Sequence, residues 1–79
     1  KVVQFVVQYE TMVEGAWCPV VRYDTAHGFP HVDRILPNGR VEKLPLLTTD
    51  LAEALTVADE DIEANWERYK TDYLKGRHT

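Results

Sequence analysis

Apolar residues alternate with polar ones at the start of the chain, and that period of two defines a strand over residues 2–9. Val3, Phe5, Val7 and Tyr9 share one face, while Gln4 and Gln8 share the other with Val2 and Val6. Glu14-Gly15 supplies a turn into a second strand, Ala16 to Asp24, with Trp17, Val21 and Tyr23 on the face opposite Cys18, Val20, Arg22 and Asp24. Pro19 has no amide hydrogen, so its place in that strand requires an edge or a bulge. The stretch from Thr25 to Pro30 carries Gly28 and Pro30 and reads as a turn, after which His31 to Leu36 resumes strand character. Asn38-Gly39 tolerates the positive φ of a type I′ hairpin turn. It predicts a fourth strand, Arg40 to Leu44, with Leu36 opposite Val41 and Arg34 opposite Lys43.

From Asp50 onward the period changes to 3.6. Leu51, Leu55, Ala58, Ile62, Trp66, Tyr69 and Tyr73 follow spacings of three or four, the stripe of an amphipathic helix. Asp50 with Glu53 resembles a capping box, and Gly76 stands where a helix-ending residue belongs. Thr56 followed by Asp59 offers a second cap, so the segment is read as one long helix with room for a bend near Ala58. Strands in series followed by a helix predict an α+β fold: a four-stranded antiparallel meander covered on one face by the C-terminal helix, with the helix stripe on Val3, Phe5 and Val7. Some 25 helical residues would span roughly 38 Å, whereas a compact chain of this length has a radius of gyration of about 12 Å. The helix must therefore overhang, bend or meet a partner.

The chain has 79 residues, of which 44% are hydrophobic and 28% charged. That is ordinary globular composition and predicts a single domain over residues 1–79. No apolar run approaches the roughly 20 residues of a membrane span. A chain that opens at Lys1 inside a strand shows no leader, and the single cysteine, Cys18, fits a reducing, cytoplasmic setting. A core of this size supplies little net stability, which favours association, so a homodimer or another protein partner is expected.

The chemistry-bearing residues concentrate between Arg22 and Arg34: Arg22, Tyr23, Asp24, His27, His31, Asp33 and Arg34. Asp24, His27, His31 and Asp33 are expected to converge at one end of the sheet, because antiparallel neighbours bring residues near a shared turn side by side. Two imidazoles and two carboxylates suit a divalent metal, but the i, i+4 histidine spacing aligns ligands only on a helix, and Gly28 and Pro30 oppose one there. No metal or other cofactor is assigned. As a metal-independent nuclease site the same cluster would use His27 and His31 as acid and base, Asp24 to orient one of them, and Arg22 on phosphate.

Charge argues against strong nucleic-acid binding. The net charge is -4, and the acids concentrate in the helix, whereas a nucleic-acid binder normally shows a basic stripe. No Gly-rich phosphate loop is present, and the absence of serine excludes serine hydrolase chemistry. Cys18 lies mid-strand and reads as packing, and Trp17, Trp66, Tyr69 and Tyr73 are assigned to the core.

From Val20 through Asp33, in the run Arg22-Tyr23-Asp24-Thr25-Ala26-His27-Gly28-Phe29-Pro30-His31-Val32-Asp33, and on to Pro37-Asn38-Gly39, the chain resembles a family of short uncharacterised prokaryotic proteins. The likeness resumes from Asp61 to Tyr69. More faintly, Arg-Tyr-Asp followed by His-Gly and a further His is similar to TumE-like toxins of prokaryotic toxin-antitoxin pairs. The resemblance implies an intracellular prokaryotic setting. Two functions follow as expectations. The first is a non-catalytic, self-associating protein-interaction module. The second is a toxin-like RNA-directed hydrolase using Arg22, Asp24, His27 and His31, with RNA a partner only in that case and no membrane in either.

Overall fold

The computed structural model describes residues 4–25, 30–48 and 50–77. Strands β1 (Val6–Val13), β2 (Ala16–Asp24), β3 (His31–Ile35) and β4 (Val41–Pro45) form one antiparallel sheet in chain order, followed by helix α1 (Leu51–Gly76). This is the predicted α+β layering. No helix among the described residues is long and apolar enough to cross a membrane.

The type I′ turn expected at Asn38-Gly39 is found at the β1–β2 hairpin instead. Glu14 and Gly15 both take positive φ, 50° and 82°, in a two-residue loop flanked by the pair Val13 and Ala16, so the type I′ turn is here. At the other hairpin only Gly39 is left-handed, with φ 88°. Leu36 N–H donates to the Arg40 carbonyl at 2.8 Å, and Gly39 N–H donates to the Leu36 carbonyl at 2.9 Å, which makes a three-residue loop of Pro37, Asn38 and Gly39. Pro37 explains the difference. A two-residue Asn38-Gly39 loop would require Pro37 to donate an amide hydrogen to Arg40, and proline has none. Asn38 Oδ1 instead accepts from Arg40 N–H at 2.9 Å. The register moves by one residue, pairing Ile35 with Val41, Arg34 with Glu42 and Asp33 with Lys43.

A second irregularity changes the faces of β2. Tyr9 pairs with Val21 but Glu10 pairs with Pro19, so Val20 is the extra residue of a β-bulge. Pro19 sits beside this bulge, on a stretch of β2 that pairs only with β1, since β3 reaches no further than Val21. The bulge lets adjacent Val20 and Val21 both be buried, at 2% and 0% exposure. It also reverses the expected faces below it. Cys18, opposite buried Thr11, turns toward the helix, and Trp17, opposite Met12, stands 64% exposed on the uncovered face. The assignment of Trp17 to the core is therefore corrected.

Helix α1 is continuous through Ala58. Asp50 caps it, its Oδ1 accepting from Ala52 N–H at 3.0 Å and Glu53 N–H at 3.2 Å, while Asp50 N–H is taken by Thr48 Oγ1 at 3.1 Å. Thr56 starts no second helix and instead donates to the Ala52 carbonyl at 3.2 Å. Gly76 is not the left-handed terminator expected, because the helix runs through it to a right-handed Arg77. Its lack of a side chain serves a close approach, since a Cβ there would meet Pro37 Cγ at 3.1 Å.

The helix crosses β1 and β2 and defines the long dimension of a molecule 41 Å by 22 Å by 20 Å. Ala54 and Ala58 are fully buried, which brings the helix backbone near the sheet. Val20, Val21, Tyr23, Ala58 and Tyr69 form the core, and Phe5, Val7, Tyr9, Val32, Leu46 and Tyr73 pack against it. Phe5 and Val7 thus meet the helix layer as expected, while Val3 lies outside the described residues. Trp66 is only partly in this core, 42% exposed with its ring edge on Tyr9.

Candidate functional site

Strand parity places Gln8, Arg22, Asp33 and Lys43 in one row across the face of the sheet that the helix does not cover. Each is the direct register partner of the next: Gln8 with Arg22, Arg22 with Asp33, and Asp33 with Lys43. Arg22 Nε donates to Gln8 Oε1 at 2.7 Å. Lys43 Nζ donates to both Asp33 carboxylate oxygens, at 3.2 and 3.4 Å. One row along, Asp24 is the register partner of His31.

Asp33 and His31 are 4% and 5% exposed, and His31 Nε2 stands 3.7 Å from Asp33 Oδ1. That is ion-pair range rather than a hydrogen bond. Of the four residues expected to act in catalysis, Arg22, Asp24 and His31 therefore share one face, and His27 lies outside the described residues. The one-residue register change matters here. It brings Lys43 to Asp33 on the open face, while Arg34, opposite Val21 of β2, points to the helix side. There the Arg34 guanidinium lies 5.0 Å from the centre of the Tyr69 ring. No group of three His, Cys, Asp or Glu side chains able to hold a metal occurs among the described residues.

The opposite face carries a second polar cluster, around Asp61 of the helix. Asp61 Oδ2 accepts from the Tyr23 hydroxyl at 2.6 Å and the Tyr69 hydroxyl at 2.5 Å, and its Oδ1 accepts from Asn65 Nδ2 at 2.8 Å. Burial pushes the Tyr23 hydroxyl well above the usual tyrosine range, and the hydrogen bond to Asp61 and its charge add to the rise. The Tyr69 hydroxyl is raised for the same reasons, against the opposing influence of Arg68 and Arg34. Tyr73 is also raised, by burial first and then by Cys18. Asp61, Asn65 and Tyr69 recur every four residues, so they line one face of α1, and polar residues on an apolar stripe are the signal that could have found this cluster.

A cleft of about 110 Å³ lies between the end of α1 and the β3–β4 turn, lined by Val20, Arg34, Pro37, Tyr69 and Tyr73 among others. It adjoins neither the row on the open face nor His31. The chemistry in view is thus divided. The open face offers a buried carboxylate held by the Lys43 ammonium beside an imidazole, and the helix face offers a partly buried carboxylate held by neutral donors between helix and sheet.

No curated protein and no solved structure matches the chain. One family does: the chain belongs to the domain of unknown function DUF7718, which it matches along residues 1–79.

Proposed function

We propose that the chain is a non-catalytic interaction module that acts by associating with a second copy of itself. The observation that carries this reading is the set of apolar side chains left on the uncovered face of a small sheet. Val6, Met12, Trp17 and Val41 are 59%, 47%, 64% and 48% exposed there. Large apolar groups grouped on one face of so small a molecule mark a surface that another chain covers. The polar and charged side chains between them are engaged with one another, with Arg22 on Gln8 and Lys43 on Asp33. Sedimentation velocity over a wide concentration range tests the reading. A dimer is expected, and a monomer persisting to millimolar concentration overturns it.

One observation favours a second reading, a toxin-like hydrolase acting on RNA inside a prokaryotic cell. Arg22, Asp24 and His31 share a face, with Asp33 beside the imidazole. In that reading His27 and His31 exchange protons and Arg22 contacts phosphate. Controlled expression in a bacterium distinguishes the two. Growth arrest that is lost in folded His27→Ala and His31→Ala variants supports catalysis, and unimpaired growth with intact cellular RNA rejects it.

A further inference from the structure

The two edges of the sheet are built differently. Strand β4 has five residues, carries Glu42 and Lys43, and ends on Pro45. Those are the devices by which an edge strand resists pairing with another chain. Strand β1 has eight residues, VVQYETMV, with Glu10 as its one charge and neither lysine nor proline. Among the described residues it is the edge left open.

The direction of its free backbone groups follows from its two ends. Near the start, Phe5 donates its N–H to Thr25 Oγ1 at 2.9 Å and accepts from Thr25 N–H at 3.2 Å, so Phe5 faces β2. At the other end Val13 flanks the two-residue turn opposite Ala16, which again points an odd-numbered residue at β2. Antiparallel alternation then leaves the backbone groups of Val6, Gln8, Glu10 and Met12 on the outer edge.

We infer that this edge pairs with β1 of a second copy, antiparallel about a two-fold axis at Tyr9, to give a continuous sheet of twice four strands with both helices on the same face. The inference rests on the self-association reading above and places the contact at the β1 edge, next to Val6 and Met12, with Trp17 on β2 and Val41 on β4 outside the paired strands. A residue and its cross-strand partner must point to the same face, so only registers centred on a residue keep both helices on one side. Centring on Glu10 sets two like charges directly opposite one another, and centring on Gln8 sets Val6 against Glu10. Centring on Tyr9 sets Val6 against Met12 of the second copy and Gln8 against Glu10, apolar on apolar and amide on carboxylate. Within one chain the latter two groups already bond, Gln8 Nε2 donating to Glu10 Oε2 at 3.0 Å. On the helix side the two Tyr9 rings would meet, flanked by the Trp66 rings whose edges touch them and which stand 42% exposed. The same pairing thus covers Val6 and Met12 on one face and Trp66 on the other.

Two measurements on the full chain test this. Gln8→Pro removes an outward N–H without touching the ladder to β2. By symmetry it deletes two bonds of the dimer, so the dissociation constant should rise about thirtyfold while the far-ultraviolet circular dichroism is unchanged. Separately, Val6→Cys with Met12→Cys in a Cys18→Ala background should oxidise to a covalent dimer. The two positions lie about 20 Å apart along one strand, so a bridge can form only between chains, and Val6→Cys alone should form none. A native dimer that Gln8→Pro leaves intact and that fails to cross-link overturns the edge pairing while self-association stands. A native monomer overturns both. Should Gln8→Pro fail to fold, cross-linking decides, and its absence in a native dimer overturns the edge.

Discussion

Asp61 and Asp33 are both half or more buried carboxylates on opposite faces of the same sheet, and their partners differ in kind. Asp61 is surrounded by neutral donors, the hydroxyls of Tyr23 and Tyr69 and the amide of Asn65, within the layer between helix and sheet. Asp33 is held by Lys43, whose own side chain is 66% exposed, with His31 beside it and Arg22 opposite it in register. The first arrangement joins residues 38 and eight positions apart in sequence and ties helix to sheet. The second joins neighbouring strands that the ladder already holds. The same functional group therefore serves tertiary cohesion on one face and charge pairing between neighbouring strands on the other.

The largest effect should come from breaking the first arrangement. Asp61→Ala leaves two tyrosine hydroxyls without an acceptor at the helix–sheet contact and is expected to lower unfolding stability by about 2–3 kcal/mol, measured by urea denaturation. The corresponding Asp33→Ala should cost less, because Lys43 can return to water. Equal losses at the two positions would remove the distinction.

Removing one hydroxyl sharpens the picture. Tyr23→Phe and Tyr69→Phe should each cost about 1 kcal/mol, and the double variant should depart from additivity because the two share one oxygen of Asp61. Alkaline pH tests the same cluster without mutation. Both hydroxyls hold their protons more tightly folded than unfolded, so above the ordinary tyrosine value near 10 the unfolded chain binds fewer protons than the native one. Their contribution is complete below that pH and is lost as pH rises beyond it. Chemical denaturation from pH 8 to 11 should show this loss, and the double phenylalanine variant should reduce it.

The smallest effect belongs to Lys43. Lys43→Met is expected to change stability by no more than about 0.5 kcal/mol, and raising salt should narrow even that difference. A salt-insensitive loss of several times this size would mean that Asp33 depends on Lys43 as closely as Asp61 depends on its tyrosines.

Much of the architecture was legible in the residues alone, because it is written in local periodicity. Alternation marked β1, the change to a 3.6 period marked α1, and Asp50 announced its own cap, since all of these depend on residues within one turn or one strand. Pro19 announced an edge or a bulge for an equally local reason, its missing donor, and the bulge lies beside it at Val20. What the tertiary structure decided was register. Whether Asn38-Gly39 formed the loop alone or with Pro37 depended on one amide hydrogen, and the outcome moved every residue of β4 by one place, taking Lys43 from Arg34 to Asp33. The bulge at Val20 likewise exchanged Trp17 for Cys18 at the helix side. Asp61, Asn65 and Tyr69 share a local helical spacing, but their tie to Tyr23 was beyond local reading, because Tyr23 lies 38 residues from its acceptor and no periodicity spans that distance. A strand's side chains alternate with period two, so a single-residue displacement reverses which face each one serves, and only the assembled sheet determines it.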